Sequence, residues 1–155
     1  MKQPTLGAWD LHFMFHAGSH VLKCHDATGV LRWQVRAIGY GTVGDYTKIG
    51  GNTPPGLYRC GPPQEISADD PKKDRYGPWF VDLEEQEAQE SSRSRAGIGV
   101  HGGGSGLKEA YTATRQGWLK TLGCVRLQNE DLRRFVASVS YTHSHQGTAW
   151  FSVSW

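Results

Sequence analysis

Apolar and polar positions alternate with a period of two in several stretches of this 155-residue chain. From Trp9 to Phe15 the residues Trp9, Leu11, Phe13 and Phe15 take every second place, which predicts a half-buried strand. Val21 to His25 predicts a second strand, closed by a turn at Asp26-Ala27-Thr28-Gly29. Leu31, Trp33, Val35 and Ala37 then alternate with Arg32, Gln34 and Arg36. These three segments together predict an antiparallel hairpin or meander. Shorter strands are expected at Leu57–Cys60, Trp79–Leu83, Ala96–His101, Cys124–Leu127 and Trp150–Trp155. In the last of these Phe151, Val153 and Trp155 share a face. One segment alone carries the helical period: Leu132, Phe135, Val136 and Val139 form an i, i+3, i+4, i+7 stripe. Asn129 is expected as its N-cap, with Glu130 and Asp131 in the positive first turn. The sum is a mainly β chain, read as one domain over 1–155: a β-sandwich or β-roll with one main helix beside it.

Composition changes this picture only at the margins. Twenty glycines and seven prolines favour turns and short strands over long helices. Residues 39–56 read as loop, and Pro62, Pro63 and Pro71 are expected to keep the chain irregular up to Trp79. Residues 84–95, acidic and then Ser/Arg-rich, are expected to form an exposed loop or a frayed helix. A formal charge of +2 without a basic block argues against nucleic acid. No apolar run is long enough for a membrane span. The first twenty residues carry Asp10, His12, His16 and His20 and lack a signal-type apolar run, so synthesis in the cytoplasm without a signal peptide is expected. Cys24, Cys60 and Cys124 are odd in number and contain no C-x-x-C pair, which argues against a disulfide framework. A bridge between Cys24 and Cys60 stays open, leaving Cys124 as the odd thiol. His12, His16, His20 and Cys24 recur every four residues but on a strand-and-turn segment, and His101, Cys124, His143 and His145 form an equally weak zinc set. No metal and no cofactor is expected.

The chemistry concentrates in two short strands. Cys124 lies on the face opposite Val125 and Leu127, and Arg126 shares that face, where its charge suits a thiolate or a substrate carboxylate. On these features alone a small buried hydrophobe fits Cys124 as well as a nucleophile does. His101 tips the balance, because it too sits on the non-core face of its strand and a glycine run follows it. An imidazole within reach of a thiol can take its proton and return it to a leaving amine. The glycines after His101 lack the spacing of a phosphate-binding loop.

Ile98-Gly-Val-His-Gly-Gly103, followed by Thr121-Leu-Gly-Cys-Val-Arg-Leu-Gln-Asn-Glu-Asp131, resembles the L,D-transpeptidase catalytic domain, also called the YkuD domain. Thr53-Pro-Pro-Gly-Leu-Tyr58 is similar to a third element of that family. The resemblance implies Cys124 as nucleophile, His101 as base and Gly102 as the carbonyl that orients the base. It further implies an oxyanion site of the Gly123 and Cys124 N–H groups. Arg126 is either a buried salt-bridge partner or a substrate contact, Thr121 and Gly103 belong to the substrate-facing set, and Asn129 and Asp131 cap the helix. Two departures stand out. Leu122 replaces the family's histidine, and the His–Cys spacer is long enough for Tyr111, Arg115, Gln116 and Trp118 to form a substrate wall. The implied substrate is the peptidoglycan stem peptide, processed in the periplasm or cell wall. A thioester on Cys124 would be resolved by an amine, a D-amino acid or water. An antibacterial effector or phage enzyme, with a delivery or immunity protein as partner, fits the expected lack of a signal. The alternatives are another Cys–His peptidase or amidase, and a non-catalytic wall-binding domain of the same fold.

Overall fold

The computed structural model describes residues 3–88, 97–104 and 109–155. Its first three strands are β1 (Leu11–His16), β2 (Val21–Asp26) and β3 (Leu31–Ile38), paired antiparallel in sequence order as their alternation predicts. Phe13 and Phe15 of β1 point to the core with Leu22 and Cys24 of β2. The remaining strands are β4 (Gly56–Cys60), β5 (Gln64–Glu65), β6 (Trp79–Ala88), β7 (Gly99–His101), β8 (Val125–Leu127) and β9 (Ala149–Ser154).

The strand order is β4-β9-β1-β2-β3-β8-β7-β6-β5, and a further pairing of β4 with β6 closes the first eight into a ring. Two strands make the corners. Ala37 and Ile38 at the end of β3 leave β2 and pair with β8. The start of β6 pairs with β5 and β7, while its end pairs with β4. The result is a rolled sandwich, mostly antiparallel, with parallel pairs at β1–β9 and β7–β8. The helix α2 (Asn129–Ser144) buries Leu132, Phe135, Val136 and Val139, and Phe135 meets Phe13 at 4.7 Å between ring centroids.

The structure corrects several expectations. β6 runs on through residues 84–88, where a loop or frayed helix is expected; 89–95 lie outside the described residues. Arg59 of β4 lies opposite Glu84, and such an opposite-charge pair supports a polar strand. The proline-rich stretch before Trp79 contains β5 and one helical turn, α1 (Lys73–Tyr76). Cys24 and Cys60 are both buried free thiols, so the bridge left open by the sequence is not formed. Among the described residues no helix is long and apolar enough to cross a membrane.

Candidate active site

The parallel pair β7–β8 builds the site. Val100 lies opposite Val125 and His101 opposite Arg126, so the two valines face the core while His101 and Arg126 share the other face. Cys124 immediately precedes β8. Together His101, Cys124 and Arg126 line one cavity of about 680 Å³. The two residues singled out for chemistry are therefore brought together by one strand pairing.

His101 is held on every side. Its Nδ1 lies 2.8 Å from the Gly102 carbonyl oxygen, which can only accept, so Nδ1 carries the proton and Nε2 keeps its lone pair. Phe80 stacks on the ring at 5.8 Å and Tyr76 meets it edge-on at 5.0 Å. Burial, and then the nearby Arg126 charge, push its pKa down to about 3, against the opposing pull of the Gly102 carbonyl. At neutral pH the imidazole is uncharged.

Arg126 settles the choice between salt bridge and substrate contact differently. Its guanidinium donates to three carbonyls: Gly102 (3.3 Å from Nε), Arg75 (3.1 Å) and Leu119. It thus ties the glycine run, the end of α1 and the segment before Cys124 into one wall, while still bordering the cavity. Burial lowers its pKa to about 10, an effect opposed by nearby Cys124. The Gly102 carbonyl accepts from both His101 and Arg126, so the base and the arginine are oriented by one atom.

The peptide planes around Cys124 are pinned by two buried hydroxyls. Thr121 Oγ1 accepts from the Gly123 N–H (3.0 Å) and donates to the Cys124 carbonyl (2.7 Å). Thr53, fully buried, donates from Oγ1 to the Gly123 carbonyl (2.6 Å). Gly123 has φ 115°, a conformation that only glycine adopts without strain, which is why a glycine must precede the cysteine. Of the two N–H groups expected in the oxyanion site, that of Gly123 is already committed to Thr121.

Other expected site residues take structural roles. Gly103 donates to Asn129 Oδ1 (2.9 Å) and packs against the backbone of α1, so it anchors the loop. Gln128, not Asn129, is the N-cap, and it caps without its side chain. The Asn129 amide donates to the Ala110 and Ala113 carbonyls and also accepts from Gln116. Trp118 packs under Arg36, whose guanidinium carbon lies 5.2 Å from the ring centroid, and does not border the cavity. The other residues expected to form a substrate wall do not border the cavity: Tyr111 bonds Ile66, Arg115 pairs with Glu130 and Gln116 is buried against Gln128. Leu119, Lys120 and Leu122 border the cavity in their place, with Ile49. Leu122 is 61% exposed, at the position where the resemblance expects histidine. Sequence reasoning missed Thr53 as an individual, although its proline-glycine element stood out.

Comparison with known proteins bears on the family and the fold. The model of the L,D-transpeptidase catalytic domain family YkuD matches residues 14–147. The helical cell shape determining protein Pgp2 from Campylobacter jejuni is similar in structure at a TM-score of 0.59 and 19% identity, over 93% of this chain and 47% of its own. Bd1075 from Bdellovibrio bacteriovorus is similar at 0.58 and 14% identity, over 88% and 46%. The chain spans about half the length of these two proteins, and likeness at such identities speaks to the fold alone. No curated protein matches the sequence. A family model that covers most of the chain, on a fold that joins its histidine and cysteine strands, places this protein in the YkuD family of L,D-transpeptidase catalytic domains.

Proposed function

We propose that this protein is a cysteine-dependent L,D-transpeptidase or L,D-carboxypeptidase acting on peptidoglycan stem peptides. Cys124 Sγ attacks the amide carbonyl that follows the L-centre of the diamino acid in a tetrapeptide stem. The Sγ proton passes to His101 Nε2 and then to the departing amine, releasing D-alanine and leaving a thioester on Cys124. An amine or water, deprotonated by the same Nε2, then attacks the thioester and returns the thiol. The observation that carries this reading is the shared cavity: His101, with Nδ1 tied to Gly102, and Cys124 open into it together.

The environment also suggests how the proton moves. Burial that keeps His101 neutral makes it a weak base, so a proton transfer concerted with Sγ attack is favoured over a resting thiolate–imidazolium pair. The oxyanion donor in this scheme is the Cys124 N–H. A trans peptide aims it away from the Gly123 carbonyl that Thr53 holds. Arg75, Lys120 and Arg126 around the cavity outnumber Asp74, which suits the carboxylates of a stem peptide.

Purified tetrapeptide muropeptides, incubated with wild type and with Cys124→Ala and followed by mass spectrometry, test the proposal. Loss of D-alanine with wild type alone is the expected result. New dimers, amino-acid exchange or tripeptide name the acceptor. Equal product from the alanine variant would refute Cys124 as nucleophile.

A further inference from the structure

A second cavity, of about 630 Å³, lies between the start of β1, the β2–β3 hairpin and the outer face of α2, and shares no lining residue with the cavity at Cys124. Its size is that of a small-molecule site. Three aromatic rings border it. Trp9 is 51% exposed and stacks on His145 at 4.2 Å, which holds the ring in place. Tyr141, 56% exposed, stands edge-on to Trp9 at 6.3 Å. Trp33 is half-buried, with its Nε1 donating to Ser138 Oγ and the Arg134 guanidinium over its ring at 6.0 Å.

The charges around this cavity cancel. Asp10 and Asp26 face Arg32 and Arg134, and Asp26 already pairs with Arg32 at 3.7 Å. An anionic polymer gains nothing from such a balance, and a purely apolar ligand would strip water from four charged groups. Thr142, fully buried, also borders the cavity, and its Oγ1 has no hydrogen-bond partner among the described residues. A buried hydroxyl left without a partner is costly, and a polar group of a ligand reaching it would remove that cost.

Aromatic faces beside planar polar side chains, without net charge, fit one ligand chemistry best. A sugar ring lays its C–H face on the negative face of an aromatic ring and turns its hydroxyls outward to arginine and carboxylate groups. We propose that this cavity is a binding site for a neutral oligosaccharide, with Trp9 and Tyr141 as the stacking platform and Arg134 as a hydrogen-bond donor. The site is independent of the chemistry at Cys124. Its identification with the glycan strand that carries the stem peptides rests on the proposed function. A domain that holds the strand at one site raises the local concentration of its stem peptides at the other.

The test is a titration with the N-acetylglucosamine tetramer, followed through indole fluorescence and the indole N–H resonances of Trp9 and Trp33. Saturable binding is expected, weakened about tenfold by Trp9→Ala or Tyr141→Ala, the loss of one stacking face. Ala137→Arg, on the exposed face of α2 at the cavity's edge, is expected to block binding while leaving the thermal midpoint of the protein unchanged. Absence of saturable binding overturns the proposal. So does binding that survives all three substitutions, or preference for a sulfated polysaccharide over the neutral tetramer. Because the readout is binding, the result is the same whether or not Cys124 is catalytic.

Discussion

Replacing Thr53 by valine removes one hydroxyl and little volume, from a site 70 residues away from the glycine whose carbonyl it holds. The Gly39 carbonyl keeps its bond from the Thr53 backbone N–H (2.7 Å), so the Gly123 carbonyl is the group deprived of its donor. Leaving a buried carbonyl unsatisfied costs about 1–3 kcal/mol. At about 2–4 °C per kcal/mol for a domain of this size, the thermal midpoint falls by about 2–12 °C. The catalytic effect is separate. The same peptide plane carries the Cys124 N–H, and loss of an oxyanion donor costs about 10²–10³ in kcat. Loosening the plane without deleting the donor is expected to cost less than that, about 10- to 100-fold, with KM little changed. D-alanine release from a tetrapeptide muropeptide, measured at a temperature where both proteins are folded, gives kcat and KM. Thr53→Ser keeps the hydroxyl and is expected to restore most of the rate. A valine variant that loses stability but keeps the wild-type kcat would show that the hydroxyl supports the fold alone, and would refute its role in aiming the N–H.

Three further outcomes follow from the charges and thiols. The Arg126 cation helps hold the His101 pKa down, so Arg126→Gln lets it rise, and the acid limb of kcat/KM is expected to move to higher pH; an unmoved limb would exclude His101 as the titrating base. Burial raises Cys24 to about 12 and raises Cys60 further, so iodoacetamide is expected to add one group to the native protein, on Cys124, and three after unfolding; a second native adduct would contradict the buried thiols. His12, bonded to Ser152 Oγ at 2.8 Å, is lowered to about 4 by burial and by neighbouring His25. The unfolded chain therefore binds more protons between about pH 6.5 and 4, and stability is lost as pH falls through that window. His12→Gln is expected to flatten the dependence of the thermal midpoint on pH there; an unchanged slope would assign it to other groups, His101 first.

Much of the fold was legible because burying one face of a strand or helix writes its own period into the chain. Phe13, Phe15, Phe151 and Val153 are core residues where the alternation put them, and α2 buries the stripe that its spacing announced. That His101 and Cys124 border one cavity was legible for a related reason. His101 and Cys124 each sit on the face opposite a valine, and that geometry needs only two neighbouring residues to be seen. The polar run of β6 was not legible, because Glu84 and Glu85 lie in a strand through pairing with β4 and not through burial of their own side chains.

What only the tertiary structure decided are the bonds between residues far apart in the chain. Leu11 to His16 specify a strand, but their parallel pairing with β9 depends on 149–154. Asn129 has the composition of a helix cap, yet its amide meets three or more backbone groups of the preceding loops and the cap falls to Gln128. The Gly123 N–H is bonded to Thr121, and Trp118 packs under Arg36, which lies 82 positions before it in the chain. A side chain's type restricts which bonds it can make, and its partner's position selects one of them. Local sequence therefore determined the elements and pointed to the candidate pair His101 and Cys124, while the long-range contacts of Thr53, Arg126 and Asn129 decided how those two residues are held.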